Sequence, residues 1–290
     1  MNRIVVLGDL NLDVHARQPA CLPPGDEARD LVRAVAGGSG GTFARVAAAC
    51  GASVSFLGCV GNDLVGDLLV RSLEEVGIDA RVQRVDRPSG VILALERGDE
   101  RSMICSRGAN DGIRADRIHE STFDGANHLH VSGYAFLSEA QRPAVDRVLM
   151  YSRSARVSVS VDPPPANLIR AHGVERFLDR LPGNAWLFPN RTEGELLARS
   201  AEPSEVVDRL AVRSPVGAVT LGRDGAAAWA GSSRHTASID PIAAVDPTGA
   251  GDAFAGAFVA SYLGRANLAS AVEAACAAAR DHLAGRVPSS

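Results

Sequence analysis

The chain contains no lysine: all 30 of its basic residues are arginine. That absence excludes a Walker A phosphate loop, a protein-kinase strand lysine and a lysine Schiff base, since each needs the ammonium group. Codon bias is the simplest cause, and the exclusion holds whatever the cause. Cysteine is sparse as well. The five cysteines, Cys21, Cys50, Cys59, Cys105 and Cys276, are scattered, odd in number and never paired as Cys-x-x-Cys. Neither a zinc site nor a disulfide framework follows, and a cytoplasmic location is the expectation. Long apolar runs are missing. Ile4 to Leu7, the apolar run nearest the start, is too short for a signal peptide or a membrane helix. A net charge of −4, with arginines spread along the chain, gives no general attraction to nucleic acid or to an anionic membrane. What is present is ordinary for a soluble globular protein: 290 residues, 46% hydrophobic and 22% charged, enough for one large α/β domain or two small ones.

The apolar pattern is regular. Arg3 to Leu7 reads as a buried strand ending at Gly8, followed by polar positions at Asp9, Asn11 and Asp13. Gln18 to Asp30 holds three prolines and three acids with little periodicity and reads as a loop or peripheral element. Gly37 to Gly41 open a helix over Thr42 to Cys50 that closes at Gly51. Val54 to Val60 is a strand, followed by a helix near Gly66 to Val76. Val91 to Glu96 and Ser102 to Ser106 alternate about Gly98-Asp99-Glu100, a hairpin pattern. His128–Ser132, Val157–Val161, Ala185–Phe188 and Ala218–Leu221 are then apolar strands separated by helical stretches. Strand–helix alternation predicts a parallel sheet covered on both faces, with ligands beyond the carboxyl ends of its strands. The hairpin and the loop after Gln18 break the alternation and are assigned to a small lid.

Asp246-Pro247-Thr248-Gly249-Ala250-Gly251-Asp252-Ala253 is the most informative stretch. Gly249 and Gly251 bracket Ala250 directly ahead of a long alanine-rich apolar run. Such a helix start gathers unpaired backbone N–H groups and the positive end of the dipole, and so binds anions. Asp252 sits at the same start. A carboxylate there is out of place for simple phosphate binding and suits a base aimed at a hydroxyl that faces a phosphate. It also suits an ordinary N-terminal cap. Asn190-Arg191-Thr192-Glu193, directly after a predicted strand, offers an amide and a carboxylate one helical turn apart. These are oxygen ligands suited to Mg²⁺ and its waters, or the two halves of a capping box. Asn11 and Asp13 can fix vicinal hydroxyls of a polyol, or form a polar turn. His128 and His130 alternate on a buried strand, and these two and His282 read as core or surface histidines rather than acid–base groups.

Together these segments resemble the ribokinase-like (PfkB) family of small-molecule kinases, its ribokinase branch above all, over nearly the whole chain. The stretch from Asp246 to Asp252 is similar to the family's C-terminal signature. The resemblance implies a three-layer α/β/α fold with a mainly parallel central sheet and a small β lid. It implies a single domain over 1–290, with lid segments near 14–36 and 87–106. It implies ATP- and Mg²⁺-dependent phosphorylation of a hydroxymethyl group of a small sugar. Asp252 is then the general base, with the N–H groups of Gly249, Ala250 and Gly251 holding the charge on the transferred phosphoryl group. Asn11, Asp13, Gly37, Gly38, Thr42 and Asn110 fall on the substrate side. Asn190, Thr220, Gly222 and Gly225 fall on the nucleotide side, and Asn190 and Glu193 hold Mg²⁺ through water. Asp246, Thr248 and Ser289 match positions that hold a monovalent cation such as K⁺ in some relatives. The chain departs from ribokinases at Ser39 and Thr42, where a lysine and an asparagine are usual, which puts the identity of the sugar in question.

Two alternatives accompany that reading. One is a nucleoside kinase of adenosine or pseudouridine type, with Phe43, Tyr134 and Phe136 as base platforms because the lid segments lack aromatics. The other is a catalytically silent sugar-binding protein on the same fold. Partners are thus a small sugar or nucleoside, with no nucleic acid or membrane, and a homodimer formed through the lid is expected.

Overall fold

In the computed structural model of the protein, which describes residues 2–17, 26, 27, 29, 31–97, 100–239 and 248–286, strand β1 (Arg3–Leu7) divides its side chains between two cores. Ile4 and Val6 pack with Phe43, Phe56, Phe254 and Phe258 on one side of the sheet. Val5 and Leu7 pack with Leu129, Val131, Val148 and Phe177 on the other. The two-residue period of a strand makes a continuous apolar run serve both faces at once.

The elements that follow are β2 (Asn11–Arg17), β3 (Val32–Gly37), α1 (Ser39–Ala49), β4 (Ser53–Gly61), α2 (Leu64–Glu74), β5 (Asp79–Val85), β6 (Gly90–Arg97) and β7 (Glu100–Ser106). Next come β8 (His128–Ser132), α3 (Gly133–Leu137), α4 (Arg142–Ser154), β9 (Ser158–Asp162), α5 (Ala166–His172), α6 (Val174–Arg180), β10 (Trp186–Leu187), α7 (Arg191–Ala198) and α8 (Pro203–Arg213). The chain continues through β11 (Val216–Thr220), β12 (Ala226–Ala230), β13 (Ser233–Ala237), α9 (Ala250–Arg265) and α10 (Leu268–Leu283). The large sheet runs β13-β12-β11-β10-β9-β8-β1-β4-β5. It is parallel from β11 to β5, and β12 and β13 add antiparallel to the edge. Helices α1, α2, α9 and α10 cover one face and α4 to α8 the other.

A smaller sheet, ordered β3-β2-β6-β7, forms the lid. Its strands overlap the segments expected near 14–36 and 87–106; residues 18–25 and the turn residues Gly98 and Asp99 lie outside the described residues. Alternation gives this sheet two different faces. Asn11, Asp13, His15, Arg33, Val35, Ile92, Met103 and Cys105 line a cavity. Val14, Ala34, Leu93 and Ile104 form one cross-strand row on the opposite, apolar face.

Three expectations need correction. Asn11 and Asp13 do not form a polar turn; they sit inside β2, paired with Gly37 and Val35. Helix α1 begins at Ser39, so Gly40 and Gly41 lie in its first turn. Gly40 is needed there because a Cβ would fall 2.6 Å from Gly8 Cα. Strands β12 and β13 extend the sheet where only the regular alternation is predicted. Ala226, Ala227 and Ala228 have little intrinsic preference for a strand, and pairing with β11 supplies it.

Candidate active site

Among the described residues, the polar clusters singled out above lie beside the carboxyl ends of strands of the large sheet or on the adjoining lid. The cavity between them, about 840 Å³, is lined by Asp9, Asn11, Asp13, Gly37, Gly38, Ser39, Thr42, Asp162, Asn190, Glu193, Thr220, Gly249, Gly251 and Asp252 among others. Strand order reverses around β1, which lies between β8 and β4, and a crevice opens at such a reversal.

Helix α9 starts where the sequence predicts. Gly249 is its N-cap, with φ of 74° in the left-handed region, and carries no side-chain cap. The N–H groups of the first turn are left to a ligand, and Gly249 and Gly251 keep side chains off the approach. Asp252 does not serve as the cap. Its Oδ1 accepts a hydrogen bond of 2.5 Å from Ser39 Oγ, and Ser132 Oγ donates to Ser39 Oγ at 3.1 Å. Ser39 belongs to the start of α1 and Ser132 to the end of β8, so two helix starts and a strand end meet at one carboxylate.

A second carboxylate joins them. Asp162, the last residue of β9, is hydrogen-bonded to Asp252. Burial, with the charges of Asp252 and Glu193 added, pushes Asp162 well above the usual carboxylate range. Burial also raises Asp252, opposed by the hydrogen bonds from Ser39 and Asp162 and by the nearby charge of His282. The pair therefore holds one proton, kept by Asp162 and donated to Asp252, which stays the anion. The sequence reading does not single out Asp162. The rule that finds Asn11 and Asn190 could have found it, because it directly follows the apolar run Val157–Val161.

Asn11, Asp13 and Thr42 are all buried cavity-wall residues. Gly38, with φ of 88°, caps α1, and a Cβ there would fall 2.4 Å from Asp9 O. A Cβ on Gly37 would fall 2.0 Å from Asp13 Oδ2, so the di-glycine makes room for that carboxylate. Asn110 stands one layer behind. Its Oδ1 accepts from Leu10 N at 3.0 Å and its Nδ2 donates to Asn11 Oδ1 at 2.8 Å, so it orients Asn11 from within the protein. Arg107, also unpredicted, closes this end by holding buried Asp9 through two bonds of 2.9 and 3.2 Å.

Asn190 and Glu193 take up the capping arrangement that the sequence allows. They form a full capping box on α7: Asn190 Oδ1 accepts from Glu193 N at 3.0 Å and Glu193 Oε2 accepts from Asn190 N at 2.9 Å. Both also line the cavity. Burial pushes Glu193 up to about 7, opposed by its hydrogen bonds with Asn190. Among the described residues no three His, Cys, Asp or Glu side chains converge tightly enough to ligate a metal directly. The donor set of Asn190, Glu193 and Asp162 fits a hydrated Mg²⁺ carrying phosphates better than an all-protein cage. Thr220, at the end of β11, reaches the cavity. Gly222 and Gly225 shape the turn behind it, with φ of 64° and 90°. Asp246 and Ser289 lie outside the described residues, while Thr248 lines the cavity.

The three histidines separate. His128 and His130 are fully buried, bonded to Ser158 and Ser160, and His130 stacks on Phe43 at 3.6 Å. Burial lowers both, His128 to about 3, so they are neutral core groups. His282 is different: it lines the cavity, and its Nε2–H donates to the Thr248 carbonyl at 2.7 Å, holding the loop ahead of α9. Of the three aromatic platforms considered for a base, only Tyr134 lines the cavity; Phe43 and Phe136 are core residues.

The model of the pfkB family carbohydrate kinases matches residues 1–280. An ATP-dependent ribose-1-phosphate kinase of Halopiger xanaduensis is 29% identical over 285 residues, spanning 94% of this chain and 89% of the relative. A ribokinase of Schizosaccharomyces pombe is 29% identical over 283 residues, spanning 89% and 84%. Among solved structures, the adenosine kinase of Sinorhizobium meliloti superposes with a TM-score of 0.88 over 98% of this chain and 94% of that one, at 20% identity, a likeness of fold. No helix among the described residues is long and apolar enough to cross a membrane. With a family match over nearly its whole length and the family's α/β fold and lid sheet in place, the chain belongs to the pfkB family of carbohydrate kinases, phosphotransferases with an alcohol group as acceptor.

Proposed function

We propose that the protein transfers the γ-phosphoryl group of ATP to a hydroxymethyl group of a small sugar, with Asp252 as general base. The observation that carries this is the Ser39–Asp252–Asp162 cluster at the uncapped start of α9, inside the cavity under the lid. Asp252 takes the hydroxyl proton as the sugar oxygen bonds to phosphorus. The bond from phosphorus to the ADP oxygen breaks, and the N–H groups of Gly249, Ala250 and Gly251 hold the charge on the transferring oxygens. Asn11 and Asp13 orient the sugar hydroxyls, with Gly37, Gly38 and Thr42 shaping their side of the wall. Asn110 fixes Asn11. Asn190 and Thr220 face the nucleotide, and Gly222 and Gly225 hold the turn at Thr220. Mg²⁺, bound through water near Asn190, Glu193 and Asp162, would neutralise phosphate charge. A K⁺ site at Asp246, Thr248 and Ser289 is tested by replacing K⁺ with an organic cation in the assay.

The alternative substrate is a nucleoside, favoured by Tyr134 on the cavity wall; a silent binding protein would leave the cluster without a task. ADP release measured with ribose, ribose 1-phosphate, fructose, adenosine and pseudouridine separates them. Ribose or fructose turnover supports the sugar reading. Turnover of adenosine or pseudouridine alone replaces it, and ligand-induced stabilisation without ADP release supports the silent protein. The apolar outer face of the lid, with Ile104 62% exposed, supports a homodimer in which two lids pack together.

A further inference from the structure

Helices α9 and α10 are 16 residues each and are joined by two residues, so the last turn of α10 comes back beside the start of α9. His282 stands in that last turn. Its Nε2 lies 2.7 Å from the Thr248 carbonyl oxygen. A carbonyl only accepts, so Nε2 carries a proton and donates, whether the ring is neutral or charged. A Cβ on Gly249 would stand 3.1 Å from Nε2 and 3.2 Å from Thr42 Cγ2, so the imidazole reaches the N-cap of α9 itself. The charge of His282 also acts on Asp252, in the first turn of the same helix.

This contact bears on the orientation of one peptide. The Thr248 carbonyl and the Gly249 N–H belong to the same planar trans unit and point in opposite directions. Holding the carbonyl therefore fixes the N–H. Gly249 cannot do so by itself. A glycine populates positive and negative φ about equally, and turning the peptide over would exchange the observed φ of 74° for a negative one. The unit would then present a carbonyl oxygen where it now presents an N–H, and that oxygen repels an anion which the N–H would hold. Among the described residues the Gly249 N–H donates to no other group, so its own bonding does not select the orientation. The bond from His282 holds the other end of the unit.

We infer that His282 is a positioning residue for phosphoryl transfer: through the Thr248 carbonyl it aims the Gly249 N–H at the oxygens of the transferring group. The inference rests on the kinase reading above. It gives His282 no contact with the acceptor and no part in proton transfer, so acceptor binding should not depend on it.

Wild type, His282→Leu and His282→Gln are compared with ribose, fructose and adenosine as acceptors, after each variant's unliganded Tm has shown that it is folded. Leu removes the donor, whereas the amide nitrogen of Gln can stand in for Nε2. His282→Leu is expected to lower kcat roughly 10–100-fold, less than the outright removal of an oxyanion donor. Its KM for the acceptor should stay within about threefold of wild type, and His282→Gln should keep kcat within the same margin. Inhibition by ADP with Mg²⁺ and aluminium fluoride, an anionic mimic of the transferring group, should weaken in His282→Leu by about the factor lost from kcat. Inhibition by ADP alone should not change. A His282→Leu enzyme with wild-type kcat overturns the inference alone, because the kinase activity is then intact. A loss of kcat shared equally by His282→Gln, or a rise in KM that accounts for the loss, also overturns it and leaves His282 as a packing residue of α10. Wild type that turns over none of these acceptors overturns the kinase reading and the inference with it.

Discussion

Ser39 Oγ donates to Asp252 Oδ1 at 2.5 Å, joining the first turns of α1 and α9 at the anionic oxygen that the proposed reaction needs. Asp162 donates to the same carboxylate from the end of β9. The two contacts act on Asp252 in the same direction as hydrogen bonds. They differ in charge: Ser39 is neutral, while an ionised Asp162 would oppose the charge of Asp252.

Replacing Ser39 with Ala removes a bond that holds Asp252 down. The acid limb of the kcat/KM profile should move to higher pH. Asp162→Asn puts a neutral amide donor in place of the protonated carboxyl, and should leave the limb nearly where it is in wild type. A shift for Asp162→Asn as large as that for Ser39→Ala would contradict the shared-proton arrangement.

Asp252→Asn should reduce kcat by roughly 10²–10⁴-fold, the usual contribution of a general base. Sugar-induced stabilisation should survive, because Asn11 and Asp13 are untouched. Near-wild-type turnover would leave Asp252 with a structural role only.

Asp162 also weighs on stability. Its folded value is raised above the unfolded 3.8 by burial and by Asp252 and Glu193. Below pH 3.8 both states hold the proton and nothing is lost. As pH rises from there toward the folded value, the unfolded chain ionises first and stability falls. Asp162→Asn should therefore raise Tm at pH 8 and give a smaller gain at pH 4. Equal gains at both would show that the carboxyl is not titrating.

Gly38→Ala combines a left-handed φ of 88° with a Cβ 2.4 Å from Asp9 O. The strain alone amounts to about 1–3 kcal/mol, and the clash would move either the lid root or Asp9. A lower unfolding midpoint in urea, accompanied by a raised KM for sugar, is expected. A neutral substitution would mean that the α1 cap can relax.

A charge on the outer lid face should disperse the proposed homodimer. Ile104→Glu and Leu93→Arg sit in one cross-strand row with Val14 and Ala34. Light scattering should show a dimer for wild type and a monomer for each variant, with the fold intact by circular dichroism. A wild-type monomer rules out lid pairing.

Much of this site is written locally. The predicted strand His128–Ser132 matches β8 residue for residue, because five consecutive apolar or core-bonded positions leave a buried strand as the only consistent pattern. The start of α9 is equally legible, since Gly249 and Gly251 ahead of an alanine-rich run encode a turn into a helix. The lid strands β2 and β3 are not. Asn11, Asp13, His15 and Arg33 face a polar cavity, so their inward side lacks the apolar alternation that marks a half-buried strand.

The sequence by itself determined the phosphotransfer signature, the parallel sheet and the family, because glycine conformation, apolar period and helix-start chemistry are properties of adjacent residues. Only the tertiary structure decided which groups meet Asp252. Ser39, Ser132 and Asp162 come from positions 93 or more residues apart in two of their pairs with it and its partner serine, and their joint effect on one proton depends on distance and burial. The same holds for His282. Its place in the sequence marks only a polar group near the end of a helix, and the surrounding fold brings it to the Thr248 carbonyl at the start of α9.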